Sequence, residues 1–349
     1  MAVVDREMLR SKFRGSLVGA LIGDCFGAPY ENEAAVSKRQ LQSYFEKLDG
    51  PYFKGPYKPY TDDTAMTKCI ASSLVANKDV NPTDLAKRFV TEYKNSPRRG
   101  YGQNVVVVFE KLLLSKFADP FGPAKEQFDG RGSHGNGAAM RIAPVSLFYH
   151  NDRGKLIEMV RKVSSITHSH KLGINGAVLQ SLTIQKCLQM NPEQKIDVQN
   201  FASDLIKEMK EIERDETHEE LNLEPRYSYE NQLMLMLELL KKERHPSNEE
   251  VVESLGNYVS GIFSVPTAIY SFLKAQNSIP DIDTDNPFRR TIQYAISLGG
   301  DTDTIASMAG AIAGAYFGHE IIGESMQKHC EYINETIESA DSLFSIAVK

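Results

Sequence analysis

Gly299-Gly300-Asp301-Thr302-Asp303-Thr304-Ile305-Ala306-Ser307-Met308-Ala309-Gly310-Ala311-Ile312-Ala313-Gly314-Ala315-Tyr316 reads as a tight turn, an acidic helix start and a helix of small residues. The paired glycines let the chain turn sharply. Ala306, Ala309, Gly310, Ala311, Ala313, Gly314 and Ala315 carry almost no bulk, so a neighbouring helix can approach closely. That marks the segment as a central helix of a compact bundle. The N-terminal region offers a second helix of the same kind. Leu9, Phe13, Leu17 and Leu21 recur every four residues as a buried stripe, with Gly15, Gly19 and Ala20 between them. This helix should stop near Gly23-Asp24 or Gly27, and Pro29 excludes its continuation.

The same periodicity predicts helices after Thr61-Asp62-Asp63, carrying Met66, Ile70 and Leu74, and over 82–94, 104–115, 138–149, 155–167, 173–188 and 198–212. It continues over 229–242, 248–255, 267–276, 288–297 and 304–316, with a last helix near the C-terminus. No period-two strand pattern stands out. The run Val105-Val106-Val107-Val108 is the best strand candidate, but Phe109, Leu112 and Leu113 extend it into a buried helix. Residues 211–226 and 278–287 read as charged surface connections. There is no internal repeat, no low-complexity segment and no linker, so residues 1–349 form one all-α domain.

Bulk composition is that of an ordinary globular protein: 41% hydrophobic and 25% charged residues, with a net charge of −6. The negative balance argues against general electrostatic binding to nucleic acid, without excluding a phosphate-bearing ligand held by metals or backbone N–H groups. Cys25, Cys69, Cys187 and Cys330 are scattered, form no C-x-x-C pair and read as buried or idle thiols in a reducing compartment. No apolar run is long enough to span a membrane, and the first 14 residues lack a signal-peptide core.

Two distant clusters carry the chemistry. Tyr60-Thr61-Asp62-Asp63-Thr64 and Gly299–Thr304 each interleave carboxylates with threonine hydroxyls at a helix start. Either one alone also fits an N-cap with acids in the first turn. If the fold joins them, four aspartates share one small volume, and like charges there require a cation. The donors are all hard oxygens, which select Mg²⁺, Mn²⁺ or Ca²⁺ over zinc or copper. Two divalent ions would balance four carboxylates. Glu31, after the break at Gly27-Ala28-Pro29-Tyr30, is a loop carboxylate that could ligate or act as a general acid or base; alone it reads as an exposed glutamate.

Gly130-Arg131-Gly132-Ser133-His134-Gly135-Asn136-Gly137 precedes an apolar segment. Its glycines permit close backbone approach and its N–H groups can cradle an anion, the alternative being a flexible loop. It matches neither the dinucleotide nor the ATP-binding glycine motif. His168 and His170 diverge at i and i+2, so His168 reads as a pocket residue and not a metal ligand. Asp281, Asp283 and Asp285 mimic a calcium loop, but Asn286 and Ile292 replace its glycine and terminal glutamate.

With these motifs in hand, the chain resembles the ADP-ribosylglycohydrolases, closest to the third vertebrate type, directed to serine-linked and poly(ADP-ribose). The resemblance rests on Phe13-Arg14-Gly15, residues 19–24, Tyr30-Glu31, residues 60–66, Arg99-Gly100-Tyr101-Gly102, residues 127–141, Thr167-His168, residues 264–270 and 297–316. It implies a compact, single-domain, orthogonal helical bundle with a binuclear metal cleft. It implies two Mg²⁺ ions, with Mn²⁺ as substitute. Thr61, Asp62, Asp63 and Asp303 would hold one ion; Asp301, Asp303 and Thr304 the other, with Glu31 approaching it. By the same resemblance Glu31, Asp62 and Asp63 are the catalytic group. Gly132, Ser133, Gly135 and Asn136 would bind the diphosphate and ribose, Phe128 would stack on adenine, and His168 would contact the diphosphate or distal ribose. His134 stands where close relatives usually carry Tyr, which alters the surroundings of adenosine. The implied reaction is hydrolysis of ADP-ribose from protein serine, poly(ADP-ribose) or O-acetyl-ADP-ribose. An arginine-directed N-glycosidic enzyme and a non-catalytic crystallin-like or ADP-ribose-binding member are the alternatives. The implied protein is a monomer of cytoplasm and nucleus, with the mitochondrial matrix as another compartment, and it binds neither nucleic acid nor membrane.

Overall fold

The computed structural model describes residues 5–50, 57–214, 227–348, and in these it is all helical, with no strand and three isolated bridges. No helix among these residues is long and apolar enough to cross a membrane. The predicted connection over 211–226 lies mostly outside the described residues.

Two antiparallel helices make the centre: Arg6–Gly27 and Thr302–Phe317. They pack on each other more extensively than any other pair. Asp5 opens the first as N-cap, accepting from the Met8 N–H at 2.7 Å. Gly15, Gly19, Gly23 and Gly27 face Gly314, Gly310, Ala306 and Thr302 in strict register, four residues forward on one helix for four back on the other. A Cβ at Gly15, Gly19 or Gly23 would sit 2.4, 2.2 or 2.1 Å from the opposing carbonyl oxygen. The helices therefore meet backbone to backbone. The other face of Arg6–Gly27 buries Phe13, Leu17, Leu21 and Phe26. Helices Pro287–Ser297, Gly261–Lys274 and Lys171–Gln189 surround Thr302–Phe317, so 302–316 are buried throughout.

The predicted helices recur with shifted ends. Helix 267–276 begins earlier, at Gly261, and carries Pro266 inside it, because Ile262, Val265, Ile269 and Phe272 continue one buried face. Segment 138–149 is broken: a 3₁₀ turn spans Asn136–Ala138, and the α-helix covers Ala143–Phe148 with Pro144 in its first turn. The valine run is helical, Gln103–Leu114, but half-buried: Val108, Phe109 and Leu112 face the core while Val107 is 45% exposed. Lys38–Asp49 is a further helix that the sequence reading passed over, although Ser37 caps it and Leu41, Phe45 and Leu48 line its buried face. All four cysteines are buried and free.

Candidate active site

The antiparallel pair places the C-terminal end of the first helix beside the N-terminal end of the other. Asp24, fully buried, closes the gap to the first acidic cluster. Its carboxylate accepts from the Thr61 N–H at 3.0 Å, the Thr64 N–H at 3.1 Å and the Thr64 hydroxyl at 2.6 Å. This holds the start of helix Asp62–Asn77, where the helix dipole also favours an anion. Arg99 supports the same turn. Its carbonyl accepts from the Asp62 N–H at 2.7 Å, and its guanidinium forks onto Glu331 at 2.6 and 2.9 Å.

Gly299 and Gly300 have φ of +72° and +73°, a conformation that disfavours any side chain. There the Gly300 N–H donates to the Glu33 carbonyl at 2.7 Å, and the Gly300 carbonyl accepts from the Asn32 N–H at 2.8 Å. The Asp301 N–H donates to the Asn257 carbonyl at 2.9 Å. The turn thus ties the Glu31 loop to the second cluster. Carboxylate oxygens of Glu31, Asp301 and Asp303 lie within 4.8 Å of one another, a group able to hold a metal ion. The two clusters touch where the Thr304 hydroxyl donates to Asp63 Oδ1 at 3.2 Å. Asp63 Oδ2 is buried with no hydrogen-bond partner, an unsatisfied hard donor.

Burial raises every carboxylate in the cluster. Asp62 is pushed up to about 7, by burial first and then by Asp24, and Asp24 to about 6 by burial. Asp63 and Asp303 rise well above the ordinary range, and Asp301 rises, all chiefly through burial. Glu31 is also raised, by partial burial and then by Asp301. Asp301 is eased by the Asn136 amide, which donates to Oδ2 at 2.5 Å.

That amide joins the clusters to the glycine-rich loop across one cavity of about 530 Å³. Its acidic end is lined by Glu31, Asp62, Asp63, Asp301, Asp303 and Thr304. Its other end is lined by Phe128, Ser133, His134, Gly135, Asn136 and His168. Two expected residues are not in the lining. Thr61 instead caps its helix, its hydroxyl accepting from the Asp63 N–H at 3.4 Å. Gly132, with φ +79°, packs its backbone on Ser169 and His170, where a Cβ would meet Ser169 Oγ at 2.2 Å. Phe128 itself holds a left-handed φ of +53°, strained for a bulky residue, and the residue is 38% exposed at the mouth. His134 lies between Phe128 and His170, with ring centroids 6.3 and 5.8 Å away.

Sequence reasoning missed Asp24, Asn257 and Arg141. An aspartate closing an apolar helix, with no cation within a turn, was the available signal for Asp24. The other two show only in three dimensions.

A family model described as ADP-ribosylglycohydrolase matches residues 5–348. The chain belongs to the ADP-ribosylglycohydrolase family. Among curated relatives of this family member, ADP-ribosylhydrolase ARH3 of Mus musculus is 44% identical, covering 96% of this chain and 92% of the relative. ADP-ribosylhydrolase ARH3 of Homo sapiens is 42% identical, covering 97% and 94%, and that of Xenopus tropicalis 45%, covering 89% of each. A solved structure titled ADP-ribosylglycohydrolase-related protein complex superposes with a TM-score of 0.68 at 20% identity, covering 98% of this chain and all of that one, which supports the fold.

Proposed function

We propose that this ADP-ribosylglycohydrolase-family member is a metal-dependent ADP-ribosylhydrolase that cleaves the O-glycosidic bond between ADP-ribose and protein serine, and also acts on poly(ADP-ribose) and O-acetyl-ADP-ribose. The observation that carries the reading is the single cavity in which an acidic cluster faces a glycine-rich loop with an aromatic ring at its mouth. The names of the relatives support the hydrolase class.

The donor set fits hard divalent ions. Crowded carboxylates with raised proton affinity, and the orphaned Asp63 Oδ2, call for positive charge. Asp62, Asp63, Asp301, Asp303, Thr304, Thr61 and Glu31 are the residues that would hold two Mg²⁺. Bound there, the ions would neutralise the carboxylates and stabilise charge that builds as the glycosidic bond loosens.

The chain's own residues supply the rest. The Phe128 ring offers a stacking face for adenine. Ser133, Gly135 and Asn136 line this end of the cavity on the glycine-rich loop, shaped by the Gly135 N–H donating to Ser133 Oγ and the Asn136 N–H to the Val259 carbonyl, and this loop suits the diphosphate and ribose. The Asn136 amide holds Asp301 by Oδ2, fixing the carboxylate beside Asp303 and Thr304, the other candidate ligands. Glu31 stands on its glycine-anchored loop with raised proton affinity, suited to exchanging a proton with the attacking water or the leaving oxygen.

Product analysis on serine-linked, arginine-linked and polymeric ADP-ribose, with Mg²⁺ and with chelator, tests the proposal. Release of ADP-ribose from serine and polymer only, and only with metal, is expected. Release from arginine alone would transfer the reading to N-glycosidic chemistry, and no release would overturn it.

A further inference from the structure

Arg141 lines the cavity and is 1% exposed, yet it forms no ion pair with any carboxylate among the described residues. Its guanidinium lies over the Phe89 ring, 4.8 Å from the centroid, and its Nε has no partner. Burial lowers it to about 9, so it stays charged at neutral pH. The charge of Asp62 works against that burial without a direct ion pair, and a buried cation not in contact with a counter-charge is costly. What Arg141 does here follows from its two remaining contacts. Nη1 meets the Met66 sulfur at 3.4 Å, and Nη2 donates to Thr167 Oγ1 at 2.6 Å.

A guanidinium can only donate, so the Thr167 oxygen accepts. The oxygen has a second lone pair, but a buried hydroxyl proton left without an acceptor is costly, so the proton goes to one. Thr167 Oγ1 lies 2.8 Å from His168 Nδ1, the remaining partner it has among the described residues. Neither group is free to rearrange: Thr167 is 1% and His168 6% exposed. The Thr167 carbonyl is held by the Gln127 amide at 2.6 Å, and the His168 N–H by the Ser164 carbonyl at 2.9 Å. The imidazole is wedged against Gly137 and Gly173, where added Cβ atoms would meet its Cε1 and Cδ2 at 3.3 and 3.0 Å. Nε2 faces the loop, 3.5 Å from a Cβ position at Gly137 and 3.8 Å from one at Gly135.

We propose that Arg141, acting through the Thr167 hydroxyl, fixes His168 as the neutral tautomer with its proton on Nε2, so that the ring presents an N–H donor to the anionic part of the ligand. Arg141 and Thr167 are positioning residues in this scheme, and His168 touches the ligand. The opposite tautomer would point a lone pair at a diphosphate oxygen. Burial, and then the charge of Arg141, hold the ring neutral, with His168 lowered to about 3. The ligand half of this inference rests on the proposed function; the tautomer half does not.

The test has two readouts on the full-length protein. Two-bond ¹H–¹⁵N spectra of ¹⁵N-histidine-labelled protein without ligand should show His168 protonated on Nε2. Thr167→Val keeps the side-chain shape and removes the relay; it should lose that pure signature, and Thr167→Ser should keep it. Arg141→Met should also lose it, provided circular dichroism shows the fold intact; Thr167→Val serves if it does not. With Mg²⁺ present, Thr167→Val should weaken ADP-ribose binding about tenfold, the order expected for one hydrogen bond to a charged group, and raise KM more than it lowers kcat. In a His168→Phe background the same change should cost nothing further.

A proton on Nδ1 in the wild type, or an unchanged signature in Thr167→Val, overturns the relay. An equal loss of binding in the His168→Phe background overturns the path through His168. An Nε2–H signature in a protein that does not bind ADP-ribose would overturn the proposed function and the ligand half, and leave the relay standing.

Discussion

Replacing Gly23 by alanine tests the contact that brings the acidic clusters together. On propensity alone the change should stabilise a helix interior by about 1 kcal/mol. The structure reverses the sign. The new Cβ would lie 2.1 Å from the Ala306 oxygen, 2.3 Å from its carbonyl carbon and 2.5 Å from the Ser307 nitrogen. All three are backbone atoms of the central helix, which is packed on every side and cannot give way as a side-chain tip could. Overpacking of a well-filled core costs roughly 1–3 kcal/mol, and a backbone clash belongs at or above the top of that range. The net is a loss of about 2 kcal/mol. With a urea slope of about 3 kcal/mol per M, the unfolding midpoint should fall by about 0.7 M. Gly154→Ala is the control. That glycine is also helical, but its Cβ would meet only Asp152 Oδ1 at 3.6 Å, so the midpoint should hold or rise slightly. Urea unfolding followed by circular dichroism reads both. A Gly23→Ala protein as stable as wild type would refute the backbone-to-backbone packing on which the site's geometry depends.

Other outcomes follow from the site. Glu31→Gln should abolish turnover while leaving the melting temperature within a degree or two, since Glu31 lies on an exposed loop; near-normal turnover would remove it from the chemistry. Asp24→Asn should lower metal affinity and stability together, by about 1–2 kcal/mol in stability, because two N–H groups and a hydroxyl converge on that carboxylate; unchanged Mg²⁺ titration curves would contradict its positioning role. The metal-free protein should lose stability as pH rises. Its buried aspartates bind protons up to about 6 and about 7, while unfolded ones release them near 4, so the folded state holds the extra protons across that window. In chelator the melting temperature should therefore be lower at pH 8 than at pH 5.5, and Mg²⁺ should remove most of the difference; a rise with pH in chelator would contradict the crowding.

The helices were legible because their periodicity is a one-dimensional signal, and Lys38–Asp49 was passed over although Leu41, Phe45 and Leu48 carry it. Broken elements were harder. Nothing in the spacing of residues 138–149 marks the 3₁₀ turn at Asn136–Ala138, which is set by the Asn136 N–H reaching the Val259 carbonyl at 2.8 Å. The acidic clusters and the glycine loop stood out as residue types at helix starts. What joins them did not, because Asp24, Asn257 and the Glu33 carbonyl act across long stretches of chain. Arg141 reads as one more helix cation until it is seen to be buried, with the charge of Asp62 acting on it but no direct ion pair among the described residues. Gly132 shows the reverse: a loop glycine that suggests a ligand is required for packing on Ser169.

The central claim, that the two acidic clusters form one binuclear metal site, is met most directly by anomalous diffraction from crystals grown with Mn²⁺ and ADP-ribose. Two peaks between the Asp62–Asp63 and Asp301–Asp303 carboxylates, lost in Asp303→Ala, are the predicted result. A map with no peak there would contradict it.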